Sequence, residues 1–201
     1  MYTLLKQHDV REQMLAREIK TFTPDLFAEI FKLDNNALKH YLKTQTNNGF
    51  IKQLKRGLYT LESDRPSEEE IANSLYKPSY ISFEYALSYH GVLPEMPYVI
   101  TSATTKPTRI FDIDSTPYLY KSIKPEAYTG YSLIKNHDRE FLMADVEKAL
   151  VDYLYFVSLR KCPFNERLPE YSRNVIDHEK FLSYCQLYKN SKLNEFKKIF
   201  I

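Results

Sequence analysis

Tryptophan is absent from this chain of 201 residues, cysteine occurs twice and glycine only four times. Each scarcity removes a class of function. Cys162 and Cys185 cannot build a disulfide framework, so a reducing, cytoplasmic setting is expected. Neither has a second ligand at zinc-site spacing, and no metal is expected. Gly49, Gly57, Gly91 and Gly130 each stand alone, which leaves no glycine-rich loop to cradle a nucleotide phosphate. No apolar run approaches the ~18 residues of a membrane span. The opening Met1–Asp9 stretch turns polar too early for a secretory signal.

What is present is ordinary in bulk and informative in place. Apolar residues make up 43% and charged residues 27%, as in a folded globular chain rather than a disordered or fibrous one. Tyrosine is abundant, at 17 residues, which suits half-buried surfaces with the ring packed and the hydroxyl wet. Residues 1–62 hold ten Lys/Arg against seven Asp/Glu, a local excess of three positive charges within a net of +2. The polar segment Leu61–Glu70 carries Pro66 and reads as a linker entering a helix at Ser67, which places a domain boundary near residue 64.

The first region, 1–64, reads as three helices and a hairpin. A first helix lies within residues 2–19, with Leu15 and Ile19 on one face. A second begins sharply: Thr23 at the N-cap, Pro24 at the first helical position, Asp25 near the positive end of the dipole, and Phe22 with Phe27 as a hydrophobic staple. A third is capped by Asp34 and ends near Asn48, where Gly49 supplies a left-handed position. The β-prone runs 50–55 and 58–61, joined through Arg56-Gly57, make a hairpin. That order is the order of a winged helix-turn-helix.

The third helix carries the functional signal. With Leu38 central to the buried face, Tyr41, Leu42 and Gln45 share its side. Asn36, His40, Lys43 and Asn47 point away, with Lys39 on the flank. A merely solvated helix face mixes Glu with Lys; this one has no acid beyond its cap. Amides can read adenine edges, and lysine can reach guanine acceptors or phosphate. Lys52, Lys55 and Arg56 of the hairpin, also without an acid, suit the phosphate backbone. These cations could contact roughly four or five phosphates. Two rivals stay open: a winged helix that docks a protein instead of DNA, and a nucleic-acid-processing enzyme using Asp112.

The second region, 65–201, reads as a mixed α/β domain with an antiparallel-type sheet and flanking helices, so the fold class is α+β. Helices are expected at 67–76, 82–90 (capped by Ser82, stopped by Gly91), after Asp145, and near 177–188 and 191–200. The helix after Asp145 shows a stripe of Val146, Ala149, Leu150, Tyr153 and Val157. Strands are expected at 98–102, 108–113, 118–123, 131–134 and 140–143. No catalytic residue is expected here. His90 suits a helix end, His137-Asp138 a turn, and Asp112 with Asp114 one solvated strand face.

Two stretches carry a resemblance. One is Lys77-Pro78-Ser79-Tyr80-Ile81-Ser82-Phe83-Glu84-Tyr85-Ala86-Leu87-Ser88-Tyr89-His90-Gly91, followed by Leu93-Pro94-Glu95. The other is Ala144-Asp145-Val146-Glu147-Lys148-Ala149-Leu150-Val151-Asp152-Tyr153. With Thr101-Ser102-Ala103-Thr104 between them, and Gly49-Phe50-Ile51 and Arg56-Gly57-Leu58-Tyr59 before them, the chain resembles the AbiEi family over roughly residues 20–155. These are antitoxins of bacterial type IV toxin–antitoxin systems linked to abortive phage infection. The resemblance implies a winged helix that represses its own operon by binding inverted repeats in the promoter. It also implies a C-terminal domain that counters a nucleotidyltransferase toxin without a stable complex. A monomer pairing on DNA, with no cofactor, no membrane and no enzymatic activity, is the resulting expectation. The carry-over reaches only the helix at 34–48 and the hairpin at 50–61.

Overall fold

The computed structural model describes residues 5–136 and 138–200, and the chain divides into two compact units, 1–67 and 68–201. His137, expected in a turn, lies outside the described residues.

The first unit runs α1 (Gln7–Ala16), α2 (Pro24–Phe31), α3 (Asn35–Asn47), β1 (Ile51–Lys55) and β2 (Leu58–Leu61). Its core gathers Val10, Met14, Phe27, Leu38, Leu42, Ile51 and Leu61, one or two residues from each element, with Phe22 from the segment between α1 and α2. The buried face of α1 is Val10 and Met14, not Leu15, which is 48% exposed. Helix α1 ends at Ala16, so Ile19 lies beyond it in the turn and shares no helical stripe with Leu15. The strands β1 and β2 pair antiparallel with a register irregularity between Gln53 and Lys55. Gly57, at φ +79°, takes the left-handed position of their turn. Phe22 and Tyr59 exchange two backbone hydrogen bonds of 2.9 Å, which fasten the segment before α2 to the hairpin.

The second unit is built on a six-stranded sheet. Its strands are β3 (Ser79–Ile81), β4 (Ile100–Thr104), β5 (Arg109–Ile113), β6 (Thr116–Ser122), β7 (Tyr131–Asn136) and β8 (Arg139–Ala144), in the spatial order β5-β6-β4-β3-β8-β7. The sheet is mixed, correcting the antiparallel expectation. The pairs β4/β6 and β3/β8 are parallel, whereas β3/β4, β5/β6 and β7/β8 are antiparallel. One parallel pair comes from β3, three residues long and too short to show a period, which enters at the centre beside β8 and is buried on both faces; the other arises because β5 takes the edge outside β6 and leaves β6 beside β4.

Among the described residues this unit also has the helices α4 (Glu68–Leu75), α5 (Phe83–Tyr89), α6 (Val146–Ser158), α8 (His178–Tyr188) and α9 (Ser191–Lys197), and a short α7 (Leu168–Ser172) that no sequence signal marked. Helix α6 has no simple stripe. It is wrapped nearly all round, and its buried residues include Glu147, Lys148 and Asp152, while Val146 is only half-buried. Asp114 is not on a strand; β5 ends at Ile113, and Asp114 turns the chain at φ +51°.

Candidate nucleic-acid interface

Helix α3 is placed by its neighbours. Thr23 Oγ1 accepts from the Leu26 amide at 3.3 Å and starts α2, and the Phe22 and Phe27 rings pack 5.1 Å apart across that start. Lys32, left-handed at φ 52°, turns the chain out of α2. Asp34 then accepts from the Asn36 and Ala37 amides, both at 2.9 Å, and begins α3. Leu38 and Leu42 bury its inner side. Tyr41 stacks on Phe27 at 5.6 Å, and burial pushes its hydroxyl up to about 12. Gln7 Nε2 donates to Gln45 Oε1 at 2.6 Å, holding α1 against the far end of α3.

That packing leaves Asn36, Lys39, His40, Lys43 and Asn47 exposed on one side of α3. Arg56 is exposed at the hairpin tip, while Lys52 and Lys55 are half-buried along β1. Lys39, Lys43 and Asn47 come together on a depression of about 550 Å3 whose floor is Leu38, Leu42 and Tyr59. Asn36, His40, Lys52, Lys55 and Arg56 do not line it.

Four other polar residues do, none of which the outward face of α3 had marked: Asp25, Asn35, Thr46 and Gln53. Thr46 lies one turn beyond Lys43, a spacing that could have flagged it. Gln53 Nε2 donates to the Tyr59 hydroxyl at 3.2 Å, a cross-strand pairing that needs the hairpin register. Asp25 reads in the sequence as a dipole-complementing acid, and the fold brings it to the same depression as Lys39 and Lys43. Among the described residues it is the one carboxylate on the depression, which Lys39 and Lys43 also line.

The second unit presents its polar groups differently. Ser82, at the N-cap position of α5, makes no capping bond; its hydroxyl donates to Asp152 Oδ2 at 2.8 Å. Tyr80 donates to the same carboxylate at 3.0 Å and Tyr188 at 2.5 Å. Lys148, one turn before Asp152 on α6, completes the group through an ion pair. All five side chains are fully buried. Burial pushes Lys148 below the usual lysine range and, together with Asp152, raises Tyr80 and Tyr188 well above the usual tyrosine range. Nothing about this enclosed cluster offers access to a substrate.

His90 pairs through Nε2 with the Ala144 carbonyl at 2.8 Å, across to β8 rather than with its own helix end. Asp145 caps α6 by accepting from the Lys148 amide at 3.0 Å. Glu147 accepts from the Asp177 amide at 2.9 Å and pairs with Lys180 at 3.4 Å. Among the described residues, no group of three His, Cys, Asp or Glu could hold a metal, and no helix is long and apolar enough to cross a membrane.

No family model and no curated protein sequence matches the chain.

Proposed function

We propose that the first unit is a winged helix-turn-helix that binds double-stranded DNA, with α3 in the major groove and the hairpin on the backbone. The chain then acts as an AbiEi-type antitoxin that represses its own operon, and its second unit counters a nucleotidyltransferase toxin without a stable complex. One observation carries the reading: the outward side of α3 exposes Asn36, Lys39, His40, Lys43 and Asn47, and α3 itself contains no acid. A helix fits the major groove, where amides and ammonium groups meet base edges and phosphates. Lys52, Lys55 and Arg56 add cations on the adjoining hairpin.

The test is a gel shift on the DNA upstream of the protein's own reading frame. With four or five phosphates neutralised, affinity should fall roughly a few hundredfold between 50 and 200 mM salt. Lys43→Glu should abolish retention while the circular dichroism spectrum stays unchanged. Full retention by the folded K43E protein refutes the reading. The apolar floor of the depression, together with Asp25, favours a second reading in which this face docks a protein segment. That reading requires DNA affinity insensitive to salt and a partner that co-purifies.

A further inference from the structure

The second unit has a pocket of about 530 Å3 where α6 and α8 end and α9 begins. Lys124, Arg160, Lys189 and Lys192 line it with the Ser191 hydroxyl, and no carboxylate lines it among the described residues; the Ser158 hydroxyl, also on the lining, is already spent on the Tyr155 carbonyl at 2.6 Å. Arg160, Lys189 and Lys192 are exposed and have no ion pair among the described residues.

Cations near helix C-termini have a structural explanation, since they complement the negative end of the dipole. Its size is the deciding point. Two helix ends present together about one elementary negative charge. Lys124 already answers one of them, donating to the Tyr188 carbonyl at 2.5 Å. Four formal positive charges therefore leave a surplus of roughly three around one concavity. An ordinary surface interleaves acids with such a group, because isolated like charges repel.

The lining also limits the ligand. Among the described residues it has no aromatic ring, and Leu159 is its one large apolar side chain, so none of them stacks on a base or receives a hydrocarbon. A carboxylate brings one charge and two oxygens. A phosphate brings up to two charges and enough terminal oxygens for several separate donors, which is what three or four cations from different segments can satisfy.

We propose that this pocket binds a phosphate group through Arg160, Lys189 and Lys192, with Lys124 at its edge and the Ser191 hydroxyl as a neutral donor. The phosphate belongs either to a free small molecule or to a nucleic-acid backbone.

Calorimetric titration of the full chain with inorganic pyrophosphate tests the site directly. One site is expected, with affinity falling as salt rises. R160Q/K192Q should weaken it about 100-fold, at roughly tenfold per lost charge-assisted contact. R160K/K192R should retain it, and matching thermal melts for both show that the fold is intact. K43E, which probes the first unit alone, should leave pyrophosphate binding unchanged. Competition with a short single-stranded oligonucleotide identifies the source: displacement of pyrophosphate assigns the site to a polynucleotide backbone, and failure to displace it assigns a free phosphate compound. Absence of pyrophosphate binding by the wild-type chain, or binding undiminished in folded R160Q/K192Q, overturns the proposal.

Discussion

Lys148 and Asp152 form a fully buried pair one helical turn apart on α6, and the consequences of cutting it can be worked out group by group. Removing Lys148 as K148M leaves a buried carboxylate that still accepts from Ser82, Tyr80 and Tyr188. Removing Asp152 as D152A leaves a buried ammonium whose remaining polar contact is the Tyr188 hydroxyl at 3.4 Å, and it strands three hydroxyl donors as well. Breaking one side of a buried pair costs about 3–5 kcal/mol. K148M belongs near the lower end and D152A at or above the upper. The double variant K148M/D152N is neutral; its amide oxygen can replace Oδ2 as acceptor for Ser82 and Tyr80, while the amide NH2 replaces the oxygen that accepts from Tyr188, so it should lie within about 2 kcal/mol of wild type. D152N alone leaves the Lys148 ammonium unpaired and should cost about 3–5 kcal/mol, so the K148M and D152N costs should fail to add by about 2 kcal/mol or more. Native-state hydrogen exchange of the peptide spanning 146–158 reads this unit without interference from the other. If K148M costs less than about 1 kcal/mol, or K148M and D152N add within about 0.5 kcal/mol, the pair is not the coupled unit described.

Gly130, at φ +74°, has no room for a Cβ: one would fall 2.7 Å from the Tyr184 ring and 2.9 Å from Lys148 Cγ. G130A should cost at least about 2 kcal/mol, more than G91A, whose Cβ meets open space and whose penalty is only the left-handed strain of about 1 kcal/mol; equal urea midpoints would refute this. Burial raises eight described tyrosines above their ordinary value of 10.0, and Tyr41, Tyr153 and Tyr184 reach about 12. The folded chain keeps these protons after the unfolded chain has lost them, so their stabilisation is complete below pH 10 and drains away as pH rises toward 12. Lys148, depressed by burial, works the other way, because its unfolded form holds the proton more tightly, but it is one group against eight. A melting temperature that climbs between pH 10 and 12 would contradict that balance.

Much of the first unit was legible because its signals are local. Thr23, Pro24 and Phe22 mark the start of α2, Asp34 the start of α3, and Gly49 and Gly57 the turns, each within a few residues of what it organises. The outward face of α3 follows from the same helical arithmetic. Asp25 and Gln53 could not be read, since only the packing of α2 and of the hairpin against α3 brings them to the depression with Lys43. In the second unit local signals mislead where burial is complete. β3 is too short to show alternation, and Lys148 and Asp152 look like solvated positions on an amphipathic helix until Tyr80, Ser82 and Tyr188 arrive from elsewhere.

Serines show the same point in testable form. Ser82 occupies an N-cap position, yet its hydroxyl serves Asp152. Ser102, equally buried on β4, has a hydroxyl with no hydrogen-bond partner among the described residues. A bonded hydroxyl to a buried charge contributes about 1.5–3 kcal/mol, whereas an unbonded one carries a desolvation cost with no return. Ser82→Ala should therefore destabilise the second unit by about 1.5–3 kcal/mol, and Ser102→Ala should be neutral or stabilising by up to about 1 kcal/mol. The two substitutions remove the same atom from equally buried sites, so a common cost in hydrogen exchange of α6 and β4 would mean that the hydroxyls contribute only volume. That result would dismantle the network centred on Asp152.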